Sequence, residues 1–217
     1  VSKAQSDEDV DLYYLAKNIH FLVDYSKKMD TKLSKEEPEN NLDLLNNWLP
    51  NYIKDLPFYI PVGLRIYGHN DGIITFNKCN NSEIISYVGY SNYDKLVNNL
   101  KKLDHSGEVP FEMSLIKAID EDLKNVTGPK ELIIITNNLG NCSNFDQNKI
   151  NKLLQDKENL KINVIGLNIK TPVVESSLKA LSSSGKGRYY NIKEKQALKN
   201  TLNEIILELP PYIKRQK

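Results

Sequence analysis

The sequence predicts an α/β fold: a doubly wound, mostly parallel sheet with helices on both faces and one antiparallel edge strand. Three observations predict it. Short, nearly continuous apolar runs, such as LIIIT at 132–136 and INVIGL at 162–167, read as strands buried on both faces. Longer stretches with apolar residues at three- and four-residue steps read as amphipathic helices. The two kinds alternate along the chain, which is the pattern of parallel strands joined by helical crossovers.

Each element follows in order. Asn18–Val23 (NIHFLV) is too short for a helix and predicts the first strand, delivering Asp24 at its end. Residues 30–41 are charged, contain a Pro and predict a loop. Leu42, Leu45, Trp48, Leu49, Tyr52, Ile53 and Leu56 form one apolar helix face, which Pro50 is expected to bend. Val62–Tyr67 (VGLRIY) predicts the second strand, and residues 68–72 (GHNDG) are turn chemistry. Ile73–Phe76 and Ile84–Val88 are expected as short edge runs, paired as a hairpin. Tyr93, Leu96, Val97, Leu100 and Leu103 predict a short helix, broken by HSGEVP at 105–110. Phe111–Leu123 is again amphipathic, with Pro110 at its first turn. After Leu132–Thr136, Asp146 is expected to cap a helix carrying Ile150, Leu153 and Leu154. Strand Ile162–Leu167, helix Pro172–Ser184, strand Arg188–Ile192 and helix Glu194–Leu209 complete the series, and Pro210–Pro211 stop it. Residues 1–14 are expected as a tail, 15–209 as one domain, and 210–217 as a tail or linker.

Composition narrows the function classes. The chain has 217 residues, 40% hydrophobic and 26% charged, which suits one globular domain. With 29 Lys and Arg against 28 Asp and Glu, the net charge is +1, so there is no basic nucleic-acid footprint. No apolar run approaches the roughly 20 residues that span a bilayer, so no direct membrane insertion is expected within these residues, which leaves an anchor outside them open. A start at Val1 fits either an excised piece or a chain whose targeting segment has been removed.

In open α/β sheets, ligands bind beyond the C-terminal ends of the strands. Those ends carry Asp24-Tyr25-Ser26, Tyr67-Gly68-His69 and Asn137-Asn138. There is no G-x-G-x-x-G after the first strand and no G-x-x-x-x-G-K-[ST], which removes the best evidence for dinucleotide or NTP binding. Residues 185–188 (GKGR) read as a turn before an edge strand rather than a phosphate cradle. Ser26 lacks the G-x-S-x-G elbow of α/β hydrolases. A strand ending in Asp24 also opens phosphotransfer sites, but these need a second acid two positions on, where Ser26 stands. No catalytic set is expected. Cys79 and Cys142 are compatible with one bridge, with two buried thiols, or, alongside His20, His69 and His105, with part of a metal site.

The segment NIHFLVDYSKKM (18–29) resembles the first strand and metal-site loop of the von Willebrand factor A domain, whose motif is Asp-x-Ser-x-Ser. VGLRIYGH (62–69), GEVPFEMSLIKAI (107–119), ELIIITNNLGNC (131–142), INVIGLNI (162–169) and GKGRYYNI (185–192) resemble its later segments in order, so the resemblance covers roughly residues 15–209. It implies a Rossmann-like fold and a face that binds Mg²⁺ or Mn²⁺ through an Asp, two Ser, a Thr and a later Asp, with a partner's carboxylate completing the ion. Here those positions fall on Asp24, Ser26, Lys28, Val109 and Asn137. Val109 offers no oxygen, and Lys28 brings donors and a positive charge. Only Asp24, Ser26 and Asn137 remain as candidate ligands, with Glu108 as the nearby carboxylate, so no metal is expected. Lys28 either replaces the ion beside Asp24 or points into water while backbone N–H groups hold Asp24. His69 and His105 fall on the same face, as ligand contacts or as local packing, and His20 is expected as a satisfied core residue. Tyr25 is expected either on the rim as an anchor or folded over its neighbours.

The resemblance therefore implies a non-catalytic, metal-independent module that binds another protein through the face of Asp24, Tyr25, Ser26, Lys28, His69, Glu108, Val109 and Asn137. The alternatives are an adhesion domain using Mg²⁺ or Mn²⁺, an enzyme built on Asp24, or a purely structural role. Bacterial members of the family often carry Cys at the places of Cys79 and Cys142. The resemblance thus implies a bridge and an extracytoplasmic location.

Overall fold

A computed structural model of the chain describes residues 17–69, 79–90, 107–140, 142 and 144–207. The expected strand at 73–76, the expected helix at 93–103, His105 and both expected tails lie outside these residues.

Among the described residues six strands form one sheet in the order β3-β2-β1-β4-β5-β6. They are β1 (Asn18–Asp24), β2 (Val62–Tyr67), β3 (Ser82–Gly89), β4 (Lys130–Thr136), β5 (Leu160–Leu167) and β6 (Tyr189–Ile192). All neighbours pair in parallel except β3, which runs antiparallel to β2 along the edge. This is the predicted fold class. The edge strand reached from the sequence as Ile84–Val88 is two residues longer at its start and one at its end, and it pairs with β2. The helices are α1 (Asn41–Lys54), α2 (Phe111–Lys117), α3 (Gln147–Leu154), α4 (Pro172–Ser184) and α5 (Lys195–Leu207). Pro50 lies buried within α1, and Asp146 caps α3 by accepting N–H bonds from Asn148 and Lys149.

Alternation along the strands divides the core in two. Ile19, Phe21 and Val23 of β1 face one side, with Leu64, Ile66, Ile133 and Ile135, under α1 and α5. Leu22 faces the other, with Leu132, Ile134, Ile162 and Val164, under α2, α3 and α4. A helical layer therefore covers each face, and this is why the strands lack polar alternation.

One ionic cluster is buried between these layers. Arg65 of β2 holds Asp122 bidentately, at 2.6 and 2.7 Å, and His20 Nε2 lies 3.0 Å from the same carboxylate. Asp122 reaches them because α2 passes into a π-helical turn, Ala118–Asp122, closed by Leu123 N–H donating to Ala118 C=O. Burial alone would raise the Asp122 carboxyl, but the bonds from Arg65 and His20 hold it below the ordinary carboxylate range.

Candidate functional site at the sheet's switch point

The strand order reverses between β1 and β4, so their C-terminal ends, Asp24 and Thr136, stand side by side at the topological switch point. A hydrogen bond spans it: Thr136 Oγ1 lies 2.9 Å from Asp24 Oδ2. The other carboxylate oxygen accepts the Ser26 N–H at 2.9 Å. Ser26 Oγ in turn accepts the Lys28 N–H and caps a single 3₁₀ turn, Lys27–Met29. Asp24 and Ser26 are both wholly buried. Burial pushes the Asp24 carboxyl up to about 6, against the lowering effect of the bonds from Ser26 and Thr136.

The surrounding loops are locked together. Lys27 N–H donates to Gly107 C=O at 3.3 Å. Gly68 adopts φ +76°, and a Cβ there would lie 2.6 Å from Ser26 Cβ. Only glycine meets both the left-handed conformation and this close approach. Val109 is buried among Leu22, Tyr67 and Phe111. Asn137 donates its amide to Lys28 C=O and to Thr31 Oγ1, leaving its Oδ1 buried and without a partner among the described residues.

The site residues read from the sequence therefore have different fates. Asp24, Ser26, Val109 and Asn137 come together at the strand ends. Lys28 is exposed and makes no ion pair with Asp24, whose partners are Ser26 and Thr136. Tyr25 is not on the rim. It is fully buried, and burial drives its phenol upward. His69 is also buried and turns toward Glu83, 3.3 Å from Nε2. Glu108 stays partly exposed beside Val109. Thr136 was missed, although its position at the last step of an apolar strand, before Asn137, was the available signal. Cys79 and Cys142 form a disulfide, with Cα atoms 5.4 Å apart.

The sequence profile of the von Willebrand factor type A domain matches residues 18–204, most of the chain. The chain belongs to the von Willebrand factor A family. Solved structures agree in fold. The PilB minor pilin of Streptococcus sanguinis is 15% identical with a TM-score of 0.66, over 89% of this chain and 61% of that one. An aerotolerance-related membrane protein of Bacteroides fragilis is 10% identical with a TM-score of 0.60, over 88% and 99%. The pilus adhesin SpaC of Lactobacillus rhamnosus GG is 13% identical with a TM-score of 0.64, over 87% and 30%. The chain thus spans less than two thirds of the pilin and of the adhesin. No curated protein matched the sequence.

A von Willebrand factor A face that holds Mg²⁺ must supply near-octahedral oxygen at about 2.0–2.1 Å. The residues at this face do not match that demand. The Asp24 carboxylate is enclosed and both its oxygens are already bonded within the chain. Val109 supplies no side-chain oxygen, and Asn137 supplies only the neutral Oδ1 of an amide whose nitrogen bonds the β1 loop. Among the described residues, no group of three or more His, Cys, Asp or Glu side chains gathers as a metal cage.

Proposed function

We propose that this von Willebrand factor A domain is a non-catalytic protein-binding module that engages its partner through the strand-end loops without a divalent cation. One observation carries the metal-free reading: the Asp24 carboxylate at the switch point is sealed, with both oxygens bonded to Ser26 and Thr136. The engagement of the candidate reacting groups within the fold supports a non-catalytic role. The Ser26 hydroxyl is buried, and His20 and His69 are engaged by Asp122 and Glu83. Likeness to a minor pilin and a pilus adhesin supports an adhesive setting. The disulfide supports an oxidising, extracytoplasmic compartment.

Calorimetric titration of the folded domain with Mg²⁺ and with Mn²⁺ tests the central point. No binding heat is expected, and micromolar affinity for either ion would overturn metal independence. Partner capture by the immobilised domain is expected to persist in EDTA. Capture that requires added Mg²⁺ would sink the proposal.

A further inference from the structure

A cleft of about 810 Å³ lies beside the switch-point cluster, in the size range of ligand pockets. It shares Asn137 with that cluster, but Asp24, Ser26 and Val109 do not line it. Its walls are the segment after β1 (residues 31–35), the loop after β5 (168–171) and Lys193 just beyond β6.

The lining is charged with one sign. Lys32, Lys35, Lys170 and Lys193 all line the cleft, all are exposed, and no acidic residue lines it. None of the four makes an ion pair among the described residues. The neighbouring acids Glu36, Glu37, Glu39 and Glu194 stand outside the lining. Glu37 accepts the Lys195 N–H, and Glu39 pairs with the Lys195 ammonium at 3.4 Å. The whole chain carries only +1. The four ammonium groups are therefore a local segregation of charge, not a sample of a generally basic protein.

The walls are also pre-formed. Asn168, at φ +52°, donates to Lys32 C=O at 3.1 Å and ties the β5 loop to the β1 loop. Asn191 bonds both the N–H and the C=O of Ile169, each at 3.0 Å. Leu33, Leu167 and Ile169 form a buried apolar floor. Val173 is 74% exposed at the start of α4, next to Thr171 on the wall. A cleft held open in this way loses little conformational freedom when it is filled.

We infer that this cleft receives an acidic segment of the partner protein, its carboxylates meeting the four lysines and an apolar side chain meeting Val173. This rests on the reading of the domain as a protein-binding module and names the chemistry of what it binds. The lining favours a peptide over nucleic acid. It contains no arginine and no aromatic ring on which a base would stack. Its concave shape does not suit a flat anionic membrane, whereas separate ammonium groups suit separate carboxylates.

The test is fluorescence anisotropy with a labelled peptide alternating Glu and Leu. Its Gln-and-Leu counterpart and a single-stranded oligonucleotide serve as comparisons. The wild-type domain is expected to bind the acidic peptide alone, more weakly as salt rises, and equally in EDTA and in Mg²⁺. Reversal of two cleft charges, Lys170→Glu with Lys193→Glu, is expected to weaken binding by about tenfold or more. Reversal of two exposed lysines elsewhere, Lys54→Glu with Lys199→Glu, changes the net charge equally and is expected to leave affinity nearly unchanged. Circular dichroism confirms that both variants are folded. Equal losses in the two variants would overturn the inference, as would tighter binding of the oligonucleotide or no peptide binding at millimolar concentration. In each of those cases EDTA-insensitive partner capture leaves the module reading standing. Peptide binding that needs Mg²⁺ and survives the cleft reversal would overturn both.

Discussion

Asp24→Asn is expected to stabilise this domain at neutral and alkaline pH, although it removes the carboxylate at the centre of the strand-end site. In the unfolded chain Asp24 titrates near its ordinary value of 3.8, and in the fold burial raises it to about 6. The folded pKa is the higher one. Between about pH 4 and 6 the native state therefore holds a proton that the unfolded state has released, and stability falls as pH rises through this window. Above it, the full cost of burying the charge remains. Two units at 1.36 kcal/mol each give about 3 kcal/mol.

The hydrogen bonds agree with a neutral group. Thr136 Oγ1 lies 2.9 Å from Asp24 Oδ2 and 2.6 Å from Asn138 C=O, yet it has one proton to donate. If Asp24 is protonated, it donates to Thr136 and Thr136 donates to Asn138, so both contacts are satisfied. An amide at position 24 does the same, while its oxygen keeps the Ser26 N–H. The variant should match the wild type near pH 4 and exceed it by about 3 kcal/mol at pH 8, a rise of roughly 6–12 °C in Tm for a domain of this size. Urea melts of both proteins at pH 4, 6 and 8 measure the difference, and other carboxylates cancel in the comparison. A variant no more stable than the wild type at pH 8 would refute the reasoning. So would a wild type that Mg²⁺ stabilises and the variant does not.

The other predictions concern what holds the face in place. The bridge between Cys79 and Cys142 spans 63 residues of sequence, so replacing both by Ser should cost about 4 kcal/mol in the chain-entropy account. Denaturant melts measure it, and alkylation of the native protein before reduction should label neither sulfur. Arg65→Met strands the buried Asp122 charge and should cost about 3–5 kcal/mol, while Arg65→Met with Asp122→Leu should recover much of that loss in a double-mutant cycle. Because the folded Asp122 carboxyl lies below its ordinary value, its contribution is fully present above about pH 4. It fades as pH falls through the folded value, and acid melts of the wild type against the double variant should show that loss. Gly68→Ala should destabilise by about 1–3 kcal/mol from backbone conformation alone, with a further loss from the contact with Ser26 Cβ. Its signature is a lowered melting temperature with backbone NMR shifts concentrated in residues 24–29.

The apolar content of the chain was enough to determine the sheet. Runs such as LIIIT and INVIGL can be buried only on both sides, which requires helices above and below. The helix faces of α1 and α3 were legible at three- and four-residue steps for the same reason. The convergence of Asp24, Ser26 and Asn137 was legible too, because each stands at or just after a parallel strand whose C-terminal end lies on one face, whereas Val109 was placed there only by the family resemblance. The departures from the metal motif at Lys28 and Val109 were also plain in the sequence, since residue type alone decides whether an oxygen is on offer.

Tertiary structure decided everything that depends on which groups meet across the sheet. Tyr25 and His69 sit in polar loop sequence, yet Tyr25 is buried in the apolar cluster under α1 and α5 and His69 turns toward Glu83 of β3, and local sequence carries no record of those contacts. Thr136 became the partner of Asp24 because β1 and β4 are adjacent, a pairing between residues 112 positions apart. Arg65 lay inside a run that had to be buried, and its charge implied a partner, but Asp122 was brought to it by a π-helical turn that no periodicity announced. The four lysines of the cleft come from three separate segments. Each reads alone as an ordinary solvated charge, and only the closure of those segments around shared space makes them one site.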